Sequence, residues 1–456
     1  MELLGKLKLH TSLEIENSRV SIGFECIDRE VIDPDKCYDA LGQTGVKHAR
    51  CQTGWARCEK QKGVYDFAWL DSMVENLTRR GIRPWFNVGY GNPIYMPDAP
   101  NTTAVGCVPL LYGDDVWAAW VRYIQALAGH YRGQIQYFEI WNEPNISSFW
   151  YPGQPSGRQY AELVAKTGRI IRSIIPDARI GGSISSFNFA YLDEFARTIT
   201  PDCIDFYCFH AYGKYPEYNY AANVRQAERI FAAHGMLGID LWQGESGYPS
   251  WFPPNHWLHP RGQGNERQQA VWQLRRYLLD AAANTKMTSF FQIADMWERP
   301  YEKAIEVLAK PAAHGILNGI TYTPKKSCET ISRLATVLSG SIRPLDDYFT
   351  GRLEGDICQA LSLQLIALER NGQPLYAYYL PTDIEDEQPL RSGFTLQISD
   401  AGLQNPIREP VLIDLYTGDV LAVGSLQSDG GVRWLSDLPI ADYPLLLCDR
   451  SVFDLA

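Results

Sequence analysis

The sequence predicts an α/β protein, a (β/α)8 barrel with a C-terminal all-β sandwich. Three observations carry that expectation. Eight short apolar runs alternate with helix-period stretches from about residue 20 to 335. No glycine-rich phosphate turn follows the first run, which argues against an open doubly wound sheet. After residue 340 the pattern turns to paired apolar runs separated by turn residues.

The elements follow in chain order. KLKLHTSLEI, near the N-terminus, alternates like a strand and is expected to pair with the C-terminal sheet, because the ends of a domain often lie close together. The strand candidates are VSIGFECID (20–28), VKHARCQTGW (46–55), RPWFNVGYG (83–91) and QYFEIWNEPN (136–145), then ARIGGSISS (178–186), IDFYCFHAYG (204–213), DLWQGESGY (240–248) and SFFQIADM (289–296). Between them, Leu70, Val74 and Leu77 share a helix face, and Gly81 is placed to stop that helix. Trp117, Trp120, Val121, Ile124 and Leu127 form a second stripe, and Leu163, Val164, Thr167, Ile170, Ile171 and Ile174 a third. Asn265 with Gln268 resembles a capping box ahead of Val271, Leu274 and Leu278. In ALSLQLIALERNGQPLYAYYLP, Asn371-Gly372 between two apolar runs signals a hairpin. FTLQIS, PVLIDLYTGDVLAV and YPLLLCDR continue the strand pattern. The expected organisation is a barrel over residues 20–338 and a sandwich built from 1–19 plus 339–456.

The 456 residues carry a net charge of −11, which argues against nucleic acid or an anionic membrane as partner. No secretory leader and no bilayer-length apolar run are read in the sequence, so ten cysteines are expected as free thiols in a reducing, cytoplasmic setting. No zinc-type spacing and no HExxH occur, so neither metal nor cofactor is expected. A homo-oligomer stays open.

Two carboxylates stand out. In such a barrel, reacting groups project from the C-terminal ends of strands. Glu143 ends the fourth strand candidate and Glu245 the seventh, and both ends open into one bowl. Pro144 cannot donate to a sheet ladder and suits the point where the strand leaves. Two facing carboxylates suit cleavage of a glycosidic bond. One gives a proton to the leaving oxygen, and the other attacks or activates water. Asn142 is placed to hydrogen-bond a sugar 2-hydroxyl. Strand alternation puts Glu139 on the side of Trp141 and Glu143, where it needs a partner, His48 or Arg50, and reads as structural.

WNEPN resembles the acid/base motif of clan A retaining glycoside hydrolases. The longer FEIWNEPNISSFW, with CFHAYG, resembles glycoside hydrolase family 39, which includes β-xylosidases and carries an accessory β-sandwich. The resemblance implies Glu143 as acid/base and Glu245 as nucleophile. It further implies Arg50 beside the nucleophile, Tyr212 bonded to it, and His210 orienting the acid/base or the sugar. Two departures stand at sugar-binding positions. Arg50-Cys51-Gln52 replaces Arg-x-His, so the Gln52 amide takes the place of an imidazole, and Ile293 falls near the family's strand-eight Trp. Trp297, Trp251 and Trp257 are the aromatic candidates for lining the cleft. The implied activity is retaining, exo-acting hydrolysis of β-linked glycosides of small oligosaccharides by double displacement. The alternatives are another clan A activity (β-glucosidase, β-galactosidase, endo-glycanase), a transglycosidase, or a non-catalytic sugar-binding barrel.

Overall fold

The computed structural model describes residues 1–252, 264–296, 312–345, 349–353, 363–385, 387, 391–399, 403–429 and 432–456. Eight parallel strands close a barrel: Val20–Gly23, His48–Gln52, Arg83–Val88, Tyr137–Ile140, Arg179–Ser185, Phe206–His210, Asp240–Ser246 and Thr288–Phe290. Each expected strand is present, and the first pairs with the eighth to complete the ring. Among the connecting helices, Ala68–Thr78, Asp114–His130, Gly157–Ile174 and Glu266–Ala282 bury most of the predicted stripes, with Trp117, Val121, Ile170 and Ile174 half-buried. Asn265 caps the last of these, accepting from the Gln268 amide at 2.9 Å.

The lower interior of the barrel is a plug of rings. Trp242 stacks on Phe206 at 4.0 Å between centroids and meets Trp85 edge-on at 5.4 Å. Gly181 makes room for that plug, since a Cβ there would lie 2.1 Å from the Phe206 ring. With the lower interior filled largely by rings, the charged cluster stands toward the C-terminal ends of the strands. Arg50 stands at that boundary, its guanidinium carbon 5.7 Å from the Trp85 ring centre.

The C-terminal region forms a seven-stranded antiparallel sheet and a four-stranded one. Between them lies an apolar cluster that includes Tyr376, Leu396, Leu412, Leu435 and Leu447. Strands Gln364–Arg370 and Gln373–Tyr379 are joined at Asn371 (φ +50°) and Gly372 (φ +85°), the two positive φ values a tight two-residue hairpin requires. Leu3–Lys6 pairs with Asp419–Ala422 at the sheet edge. The sheet meets the barrel through buried Arg275, which donates to the carbonyl oxygens of Asp442 (2.7 Å) and Thr382 (2.9 Å). It also reaches the loop beyond the sixth barrel strand. Lys214 lies 2.9 Å from Asp383 and 2.6 Å from Glu385, and the Tyr379 hydroxyl donates to Glu217 at 2.9 Å. The nine cysteines among the described residues are all buried, and none forms a disulfide with another. No helix among the described residues is long and apolar enough to cross a membrane.

Candidate active site

Arg50 organises the site. Its register opposite Gly23 and Trp85 places it at the C-terminal end of the second strand, fully buried. Its Nε and Nη2 donate to the two oxygens of Glu139, each at 2.8 Å. This bidentate fork fixes the guanidinium plane. Nη2 also donates to Asn142 Oδ1 at 2.8 Å, and Nη1 to Glu245 Oε2 at 2.7 Å. Of the two partners open to Glu139, Arg50 is the one it takes. Burial alone would raise the Glu139 carboxyl, but Arg50 and His210 together hold it below the usual range. Because the amide oxygen of Asn142 faces Arg50, its NH2 group is the end left for a ligand.

The fourth strand ends at Ile140, and two consecutive turns of the chain aim Glu143. Trp141 (φ +71°) and Glu143 (φ +45°) both occupy the left-handed region, which costs a non-glycine residue about 1–3 kcal/mol. The surroundings offset that cost. The Trp141 carbonyl accepts from Asn87 Nδ2 (2.7 Å) and Ser183 Oγ (3.2 Å), and its indole N–H donates to the Phe149 carbonyl at 2.7 Å. Asn145 then ties the segment to the fifth strand through both its amide atoms. One expectation is corrected here. Alternation placed Trp141 on the side of Glu139 and Glu143, but its positive φ breaks the alternation and turns the ring onto Tyr90 and Trp120.

Glu245 lies where the pairing of the seventh and eighth strands slips, between Gln243 and Ser246. Such irregularities re-aim side chains at barrel rims. Its Oε1 accepts from the Tyr212 hydroxyl at 2.8 Å. His210 ends the sixth strand. Its Nδ1 is 3.0 Å from Glu143 Oε1, and its Nε2 is 3.8 Å from Glu139 Oε1. Burial disfavours charge on this ring, yet the charge of Glu245 and the bonds to Glu139 and Glu143 outweigh it and raise His210 to about 9. These surroundings favour the charged imidazolium at neutral pH.

Single side-chain ligand atoms of Glu143, His210 and Glu245 lie within 4.8 Å of one another. That spacing alone would suit a metal ion. An imidazolium has no lone pair to give, however, and Arg50 and Tyr212 already occupy the oxygens of Glu245.

The sugar-contact candidates fare differently. Gln52 is buried, and its oxygen accepts from the Cys26 amide (3.1 Å) and Arg29 (2.7 Å), so this amide is engaged in the wall. Ile293 is buried in the core, bonded through its N–H to the Gly23 carbonyl at 3.0 Å. The residue at the end of the eighth strand is Phe291, half-buried with its ring 5.6 Å from that of His314. Trp251 is half-buried in the loop beyond the seventh strand. Trp257 and Trp297 lie outside the described residues.

Sequence reasoning missed one carboxylate. Glu25, two residues beyond the first strand, is buried with Oε2 3.0 Å from Arg50 Nη1. The signal was available in FECID, a Glu inside an apolar run at a strand end. A cavity of about 410 Å3 beside this loop, lined by Ile27, Tyr38, Arg57 and Trp69 among others, includes none of the carboxylates gathered around Arg50.

Comparison with known proteins fits this geometry. The family model for glycosyl hydrolases family 39 matches residues 40–236, a stretch that holds Arg50, Glu143, His210 and Tyr212 and stops short of Glu245. A β-xylosidase of Geobacillus stearothermophilus is 27% identical over 171 residues, 34% of this chain and 32% of that protein. One of Caldicellulosiruptor saccharolyticus is 24% identical over 211 residues, 42% of this chain and 41% of that protein. The chain thus aligns with less than half the length of either relative. In fold, a family 39 glycoside hydrolase from Bacteroides cellulosilyticus superposes with a TM-score of 0.64 at 17% identity, over 95% of this chain and 81% of that one. A family 39 β-xylosidase from Caulobacter crescentus gives 0.57 at 17% identity, over 98% and 97%. By sequence over residues 40–236, and by fold over nearly its whole length, this chain is similar to glycoside hydrolase family 39 proteins.

Proposed function

We propose that this protein is a retaining, exo-acting β-glycosidase of small, cytoplasmic oligosaccharides, with β-xylosides the first substrates to try. The observation that carries the reading is the approach of Glu143 and Glu245, with His210, to within 4.8 Å between ligand atoms. Retaining pairs stand roughly 5–5.5 Å apart, and inverting pairs roughly 6.5–9.5 Å, to admit a water. The close spacing supports direct attack.

In the first step a lone pair of Glu245 forms a bond to the anomeric carbon. The bond from that carbon to the leaving oxygen breaks, and the oxygen takes its proton from Glu143. In the second step Glu143 removes a proton from water, the water oxygen bonds the anomeric carbon, and Glu245 leaves as carboxylate. Arg50 and Tyr212 hold one oxygen each of the nucleophile, which fixes its line of attack. His210 holds Glu143 Oε1.

The test uses Glu143→Ala and Glu245→Ala on an activated aryl glycoside, with azide added to each. Loss of the nucleophile gives an inverted glycosyl azide, and loss of the acid/base a retained one. Full hydrolysis by both variants would end the assignment, and the opposite product pattern would exchange the two roles.

A further inference from the structure

Three carboxylates share one guanidinium. Glu139 takes its Nε and Nη2, while Glu245 and Glu25 both lie on Nη1, at 2.7 and 3.0 Å. Arg50 brings one positive charge and His210 a second, against four carboxyl groups when Glu143 is counted. In a buried site, carboxyl groups that outnumber their cations cannot all ionise; Glu143 carries a proton in the proposed reaction, and the least well-served of the other three keeps one too.

The contacts identify it. Glu139 holds the two-bond fork, and Glu245 has the shorter share of Nη1 plus the Tyr212 hydroxyl. Glu143 has the His210 Nδ1. Glu25 has the longer contact to Nη1, a Gln52 amide at 3.4 Å, and an Oε1 that is buried without a hydrogen-bond partner. Its position is enforced by Gly23, where a Cβ would lie 2.8 Å from that oxygen and 3.4 Å from Gln292 Cβ. Gln292 is itself buried with neither amide atom bonded.

We propose that Glu25 is a positioning residue that works as the neutral acid, and that its ionisation draws Arg50 Nη1 away from Glu245. A neutral Glu25 leaves Nη1 to the nucleophile, whereas a charged one competes for it. The charged and titratable groups around it are Arg50 from the second strand, Glu245 from the seventh and His210 and Tyr212 from the sixth. Cys51 on the second strand, Tyr90 beyond the third, and Cys26, Asp28 and Arg29 on its own loop complete the set. Burial raises Glu25 to about 8, with Arg50 opposing and Glu245 reinforcing the rise. This inference rests on the proposed reaction for its kinetic consequence only; the protonation state can be read without any activity.

The experiment is an infrared titration of the whole protein between pH 6 and 10, on wild type and Glu25→Gln. The wild type should lose a protonated-carboxyl band near pH 8, and that loss should be missing from E25Q. No such band in the wild type, or the same loss in E25Q, would overturn the proposal, and the wild-type measurement stands even if the variant does not fold. In parallel, kcat/KM is followed against pH on a dinitrophenyl glycoside, whose leaving group needs no proton from Glu143. The wild type should fall about tenfold per pH unit above 8. E25Q, isosteric with the neutral acid, should hold its rate until His210 titrates near 9. Superimposed profiles would remove the positioning role, and inactivity of both proteins alongside a clean infrared result would count against the proposed reaction instead.

Discussion

Replacing Glu139 by Gln isolates the contact that holds Arg50 in place. Both side chains are wholly buried, so solvent does not screen the pair, and its two bonds are each 2.8 Å long. Gln keeps the volume but sets an NH2 group against a guanidinium N–H, so one bond becomes a donor–donor contact. Losing a charge-assisted bond to a buried group costs about 1.5–3 kcal/mol, and Glu245 keeps the Arg50 charge partly compensated. That is a large fraction of the 5–15 kcal/mol typical of a whole domain. Urea unfolding followed by tryptophan fluorescence reads it directly, since Trp85 and Trp242 lie beneath Arg50. The Glu139 carboxyl is held below its ordinary range in the folded protein, so its contribution is present above the unfolded-state value, near 4.3. It is lost as pH falls through the lowered folded value, and E139Q should lack that acid-side loss. A destabilisation below about 1 kcal/mol, or an unchanged acid limb, would refute the view that the fork fixes Arg50.

Two further outcomes follow from single contacts. Tyr212→Phe removes one hydrogen bond to a carboxylate, about 1.5–3 kcal/mol, and should lower kcat/KM on an aryl glycoside by about 10- to 100-fold with little change in thermal midpoint. Lys214→Met cuts the tie from the Tyr212 loop to Asp383 and Glu385, and should speed amide exchange across residues 213–218 and lower kcat several-fold, with no new exchange in the barrel strands.

Much of the barrel was legible because its signals are local. Each strand is a short apolar run bounded by turn residues, and each helix carries its stripe, so the periodicities survive in the bare sequence. The gathering of Glu143, Glu245, Arg50, His210 and Tyr212 was legible because each lies toward or just beyond the C-terminal end of a strand, and the barrel brings those ends together. What failed depended on backbone detail. The positive φ of Trp141 breaks the period-2 rule at the point where that rule was applied. The eighth strand stops at Phe290, so Phe291 stands at the strand end where an aromatic was sought near Ile293. The partners of the Gln52 oxygen, Arg29 and the Cys26 amide, were not legible either, since the loop after the neighbouring strand brings them there. Glu25 escaped because one Glu in FECID has no sequence partner; its meaning comes from Arg50, a contact made in space.

The strand Leu3–Lys6 lies against Asp419–Ala422, a partner synthesised more than four hundred residues later. Until that partner emerges from the ribosome, the first few residues wait unpaired while the barrel strands follow one another and can close. A chain shortened at its front would leave Asp419–Ala422 as a bare rim of the sheet, open to docking by a strand from another molecule. Its damage would then show as clumping during expression, while the cluster around Arg50 in any surviving chain stayed intact.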